Sequence, residues 1–410
     1  MMSKLGAGAL GSLLVIYSLA GCWRSSGPYA GAPDADSDAD TDVDSDMDTD
    51  TDTDTATDTD SDTDTDTTPC DNGTWVGDFE VWADGPLSAL AGYTGIEGSL
   101  TIHGTDLASL APLACLTTVT DYLDLSDNPA LADLDDLAAL ESVGKVFSII
   151  ANDSLASLAG LSGMTAAGGI EIQENPTLAD VTGLEGMTTF SAGVVIRGNP
   201  MLADLDGLCN VTHGGLYFVV SANDSLSSLE GLSSLTWAGS VDFMVNNNPL
   251  LTSLAGLENL VGVGGASINF NASLASLDGL EGLTQALTMH LIGNASLTDL
   301  GALLSLTHVQ RLYFQDNLVL ASLDGLENVE TIEQGIALYE NLALADVSAL
   351  GGACGTGAEL SVIIQENPQL GTCDAEALAA HFADDCGDVV TDVMICENLD
   401  DGCAVVDCGW

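Results

Sequence analysis

One phrase recurs along this chain. It reads "NPALADLDDLAALESVG" at Asn128–Gly144, "NPTLADVTGLEGM" at Asn175–Met187, "NPMLADLDGLCNV" at Asn199–Val211 and "NNNPLLTSLAGLENLVGVGG" at Asn246–Gly265. Its anchor asparagine returns at Asn128, Asn152, Asn175, Asn199, Asn223, Asn248, Asn271, Asn294, Asn317, Asn341 and Asn367, at intervals of 23 to 26 residues. A period of that length belongs to stacked coils, in which each unit buries its apolar face only against its neighbours.

Two shorter periods lie inside the repeat. Five and three residues before each asparagine stand mostly apolar residues, such as Leu123 and Leu125, Phe147 and Ile149, or Ile170 and Ile172. Alternation of this kind predicts a short strand with one buried face. After the asparagine, Leu131, Leu134, Leu137, Leu140 and Val143 are three residues apart. An α-helix turns about 100° per residue, so a step of three slips about 60° and four steps scatter the leucines around the axis. A coil with three residues per turn keeps them aligned. Gly144, Gly168, Gly193, Gly214, Gly239 and Gly264 then mark corners leading into the next strand. The expected fold is mainly β: a solenoid with one strand per coil, a parallel sheet and about 13 coils, hence about 60 Å long. The asparagines are expected to form a buried ladder at one corner, their amides bonding backbone groups.

The frame x-L-x-I/L-x-x-N-P-x-L-x-x-L-x-G-L-x-x-L-x-x-V-G resembles the receptor L-domain, a relative of leucine-rich repeats. The resemblance covers about Gly77–Leu370 and implies a right-handed, β-helix-like solenoid. Animal receptor L-domains are shorter and are joined to Cys-rich modules and a kinase. The sequence carries neither, so hormone binding and signalling are not carried over.

The ends of the chain read differently. Residues 1–21 have Lys4, then an apolar run from Leu5 to Ala20 that is short for a membrane span, then "LAGC" at Leu19–Cys22. This resembles the bacterial lipoprotein signal box, which implies cleavage before Cys22 and lipid on its sulfur and new amino terminus. Trp23 follows in place of Asp, which by that resemblance implies an outer-membrane, cell-surface address. Residues 22–69 form an expected tether: Asp34–Asp66 holds 16 Asp and almost no bulky side chain. It cannot bury enough apolar area to offset chain entropy, and its charges repel one another. D-x-D-x-D also opens a calcium-binding EF-hand loop, but the Gly and Glu that such a loop needs further on are missing.

Residues 70–370 are read as the solenoid and 371–410 as a Cys-rich cap over its apolar end. Of ten cysteines, six crowd the end: Cys354, Cys373, Cys386, Cys396, Cys403 and Cys408. Disulfides are expected among them, with connectivity left open, and Cys70 and Cys115 flank the opening coil and can tie it down. Cys209 is left over as a buried thiol. Cys373–Cys386 reads as a short helix with Asp374 as its N-cap. Zinc is not expected, because no C-x-x-C occurs and only His381 is near.

With 62 acidic residues against five Lys or Arg, the net charge of −57 excludes nucleic acid as a partner and disfavours anionic lipid. No metalloprotease, nucleophile-elbow or phosphate-loop motif occurs, and the five histidines are scattered over different coils. An enzyme and a cofactor are therefore not expected. The outer face of the sheet is more informative. It gathers His290, Arg311, Tyr313, Gln315 and Tyr339 on neighbouring coils, and Tyr and Arg are favoured recognition anchors. The leading expectation is a lipid-anchored, non-catalytic binding or adhesion protein that takes a glycan or protein on this face. The alternative is an envelope spacer without a specific ligand.

Overall fold

The computed structural model describes residues 70–402, apart from 84, 357–358 and 400. The solenoid lies within one compact unit, Thr68–Trp410. Its 17 strands form one sheet. Every pairing between consecutive rungs is parallel, as in Phe218↔Phe243 and Leu312↔Ile336. The first rungs are split into two short strands each, for example Leu100–His103 after Gly95–Glu97. From Ser142–Ile150 onward most rungs run as one longer strand that carries a register shift at its bend.

The two periods map onto two walls of each coil. Leu123, Leu125, Phe147, Ile149, Ile170 and Ile172 are fully buried, and they face Leu131, Leu134, Leu137 and Leu140, also buried. The leucine wall is built from single 3₁₀ turns, such as Asp135–Leu137, Ala159–Leu161, Asp206–Leu208 and Glu230–Leu232. Three residues per turn is the geometry that keeps a spacing of three on one side. One apolar cluster runs without a break from Val81 to Ile395. Corners are tight because coils touch backbone to backbone: a Cβ at Gly144 would come within 2.0 Å of the Thr120 carbonyl oxygen.

The eleven asparagines are between 0% and 1% exposed. Each side chain clamps the coil before it. The Asn248 Nδ2 donates to the Val220 carbonyl at 3.0 Å, and its Oδ1 accepts the Asn223 backbone N–H at 3.2 Å. Asn271 repeats this on Val245 and on the Asn248 N–H, at 2.7 and 2.9 Å. The residue before the asparagine is left-handed in rung after rung, with φ of 54° at Ala222, 55° at Asn247 and 56° at Phe270. At the first position Thr105 stands in, giving its N–H and hydroxyl to Asn128 Oδ1.

The segment after Leu370 contributes the helix Thr372–Ala380, a π turn His381–Asp385 and then a further parallel rung, Val389–Cys396, paired to Glu359–Gln365. Asn398 extends the ladder: its Oδ1 accepts the Asn367 N–H at 3.1 Å, and its Nδ2 reaches the Ile364 carbonyl at 3.0 Å. The helix starts earlier than expected. Gly371 is its N-cap and Asp374 lies in the first turn. The Cys373 N–H is received by Asp401 at 3.2 Å, so a carboxylate from downstream in the chain takes the role expected of Asp374.

Cys70 is bonded to Cys115, and Cys354 to Cys386. Cys373 and Cys396 are also disulfide-bonded. So is Cys209, which corrects the expectation of a buried thiol: it is only half-buried, at the end of a 3₁₀ turn, where its sulfur is accessible for pairing. Cys22, Cys403 and Cys408 lie outside the described residues.

Replacing Asn248 by Leu leaves the Val220 carbonyl and the Asn223 N–H without their partner in a dry corner. The expected loss is about 1–3 kcal/mol. A chemical-denaturation midpoint equal to that of the parent protein would refute a clamping role for this amide.

Candidate functional site

The outer sheet face is set by registration. Ser267, His290, Tyr313, Ala337 and Ile363 form one row across the rungs. Asn269, Ile292, Gln315, Tyr339 and Gln365 form the next. Arg311 falls in a third row, between Thr288 and Gly335. Rungs stand about 4.8 Å apart, so side chains of neighbouring coils touch directly.

They do so around Tyr313. Its ring meets His290 edge-on at 5.6 Å between centroids, and Tyr339 at 5.5 Å with the planes tilted by 42°. Tyr339 belongs to the neighbouring row. It reaches Tyr313 across the position where the sheet carries only Ala337. The Tyr313 hydroxyl donates to Gln315 Oε1 at 2.7 Å, and Gln315 Nε2 donates to Glu340 Oε2 at 2.9 Å. Tyr313 and Gln315 are therefore held by each other, and Glu340 is a member of the site that the strand pattern did not single out. Arg311 is exposed, and its guanidinium makes no ion pair or hydrogen bond with a described residue. Its charge is nevertheless felt by His290.

Burial holds the His290 pKa below its ordinary value, and the Arg311 charge lowers it further, with Asp242 opposing. The ring is neutral at pH 7. Burial raises Tyr313, with Glu340 and Asp316 adding to it, and burial followed by Tyr313 raises Tyr339. Both phenols remain protonated donors near neutrality. The patch can thus offer flat apolar rings, neutral hydrogen-bonding groups and one forked cation.

Other arrangements were possible centres of chemistry. His103 Nδ1 lies 2.8 Å from Ser126 Oγ and 3.3 Å from Asp127 Oδ2. One nitrogen faces both groups, so the ring cannot pass a proton from the serine while the carboxylate orients its other side. Cys354, His381 and Cys386 bring three ligand atoms within 4.8 Å of one another. Both sulfurs are consumed in their mutual disulfide, which explains the proximity and removes the thiolates a metal needs. Asp316, Glu340, Glu366 and Glu397 sit in the left-handed position of consecutive rungs, with φ between 53° and 57°. They line a cavity of about 300 Å³. Burial and mutual repulsion raise the pKa of Asp316 and Glu366.

No described helix is long and apolar enough to cross a membrane. No protein-family model matches the chain, and no curated protein matches it. Among solved structures, it is similar to an internalin from Listeria monocytogenes, with 16% identity over 78% of this chain and 83% of that one, at a TM-score of 0.40.

Because His290 has a lowered folded pKa, the unfolded chain takes up its proton first as the solution is acidified. The stability contributed by the neutral ring is complete above about pH 6.5 and is lost as pH falls through the lower folded value. An NMR titration should place the His290 midpoint below that of a free histidine. Arg311→Gln should move it part of the way back, leaving the burial contribution. A midpoint at the free value would show that the ring is not packed as described.

Proposed function

We propose that the protein is a non-catalytic binding module that uses the outer sheet face around Tyr313 to hold a neutral or basic glycan or protein ligand. The observation that carries this reading is the unpaired, exposed Arg311 beside three rings already fixed in mutual contact. The Arg311 guanidinium keeps all its donors, as does that of Arg197 on an earlier rung, and of the two only Arg311 stands on the same strand as Tyr313, beside the ring cluster. The rings are fixed before any ligand arrives, so little side-chain entropy is lost on binding. The surrounding negative field disfavours acidic ligands.

The double substitution of Arg311 and Tyr313 by Ala should leave folding nearly intact, because both side chains point away from the core. It should weaken ligand binding by more than about 2 kcal/mol if they are anchors. Glycan arrays, protein arrays and whole-cell binding supply the ligand. Unchanged affinity in the double variant places the site elsewhere, and the absence of any ligand across these screens favours a structural spacer instead.

The module is proposed to be held at the bacterial outer membrane through lipid on Cys22, with residues 22–69 as an extended stalk. This part of the reading rests on "LAGC" and on the Asp-rich run, both outside the described residues. Cys22→Ala should release the protein from membrane fractions and abolish metabolic labelling by a fatty-acid analogue. A variant that stays as firmly membrane-bound as the parent refutes lipid anchoring.

A further inference from the structure

A second site lies at the bend that precedes the outer face. The sheet register shifts there, between Ala238 and Asp242, and a cavity of about 340 Å³ opens beside it. That size suits a small ligand rather than a protein surface. One wall is Trp237. Its ring lies along the stack over Gly262, where a Cβ would come within 2.6 Å of the indole carbons. Gly262 is thus the residue that lets the indole lie down over the next rung. Trp237 keeps 36% of its surface exposed, and its indole N–H has no hydrogen-bond partner among the described residues. The small residues Gly264 and Ala286 line the cavity and keep it open.

The rest of the rim is polar and under-used. Trp237, Gly262, Gln285 and His308 are in register on four successive rungs, so ring and polar groups follow one line at about 4.8 Å per step. The side chains of Ser240, Gln285 and Glu333 bond no described residue. His308 Nδ1 is occupied by Thr307 Oγ1 at 2.8 Å, which leaves Nε2 facing outward. Gln310 Oε1 accepts from Gln334 Nε2 at 3.0 Å, which leaves its own amide nitrogen as a donor. No Lys or Arg lines the cavity.

From this geometry we propose that the Trp237 groove binds a neutral sugar ring. A pyranose has one flat C–H face, which matches an exposed indole, and a rim of hydroxyls that donate and accept at once. Gln and Ser supply both roles within a short distance, and His308 Nε2 adds a further polar atom. Glu333 adds an acceptor that suits adjacent hydroxyls and repels anions. Uronic, sialylated, sulfated and phosphorylated sugars are excluded by that carboxylate, by the lack of any lining cation and by the net charge. The groove stands independently of the Tyr313 patch, which has its own residues and its own test.

The test is a titration of the whole protein with glucose, galactose, mannose and N-acetylglucosamine, as monosaccharides and as trisaccharides, with glucuronic acid as the anionic counterpart. Saturation-transfer NMR and tryptophan fluorescence give the readout. At least one neutral sugar should bind saturably in the millimolar range or tighter, and glucuronic acid at least tenfold more weakly. Trp237→Ala should weaken binding at least tenfold. Gln285→Ala, a change of an exposed side chain that spares the core, should weaken it severalfold. Trp82→Ala, which removes another exposed tryptophan many rungs away, should leave it unchanged. The proposal is overturned if no neutral sugar saturates, if binding survives both Trp237→Ala and Gln285→Ala, or if glucuronic acid binds as well as glucose. Trp237-dependent capture of peptides without any sugar binding overturns it too.

Discussion

The structure depends on a single hydrogen-bonded clamp: an asparagine amide that donates to a strand-end carbonyl of the previous coil and accepts the N–H of the previous asparagine. The chain turns there through a left-handed residue, so strand-end groups point into a dry corner where water cannot reach them. A buried carbonyl or N–H left unpaired at every rung would outweigh much of the gain from stacking. Asparagine has both a donor and an acceptor on the shortest amide side chain. Aspartate lacks the donor, and glutamine is one methylene longer than the corner allows. The clamp therefore fixes one point per coil, and the leucine wall can register only because that point does not slip.

A coil pinned at one corner is free to vary elsewhere, and the sequence uses that freedom unevenly. Acidic residues occupy the outward positions of the turns and even the left-handed position itself, at Asp316, Glu340, Glu366 and Glu397. Stacked at the rung spacing, these carboxylates repel one another, which is why burial and neighbouring charge raise the Asp316 and Glu366 pKa values. The sheet face bearing Tyr313 is built differently. Around Tyr313 its rings, amides and the Arg311 guanidinium make a weakly charged strip in a strongly negative molecule.

The fold was legible because its signals are local and repeated. A spacing of three among Leu131, Leu134, Leu137 and Leu140 admits few backbones, and all four are buried along a wall whose 3₁₀ turn is Asp135–Leu137. Where a signal was interrupted it was lost. Val393 and Ile395 stand five and three residues before Asn398, as the rule requires. The inserted helix Thr372–Ala380, however, stretches the interval from Asn367 to 31 residues and hid the last rung. Cys209 and Asp374 went wrong for another reason. Disulfide pairing and helix capping join distant residues, and Asp401 comes from a later part of the chain than the helix it caps. The Trp237 groove was equally invisible, because it requires knowing that Gly262 lies directly under the indole in register. Glu340 joined the Tyr313 site through the same kind of cross-rung contact.

Parallel stacking also constrains recognition. Neighbouring rungs share strand geometry, so side chains in one row repeat at a fixed step and cannot adjust independently. A ligand meets a ruler rather than a pliable pocket. Selectivity then comes from which residue type occupies each step, and small residues matter as much as large ones: Ala337 makes room for Tyr339 to reach Tyr313, and Gly262 makes room for Trp237 to lie down. Both proposed surfaces place aromatic rings beside such a gap, and the only cation in either is Arg311, unpaired. Rings presented at a fixed spacing within a negative field favour partners that offer flat apolar faces and hydroxyl or amide groups, and disfavour partners that bring more negative charge.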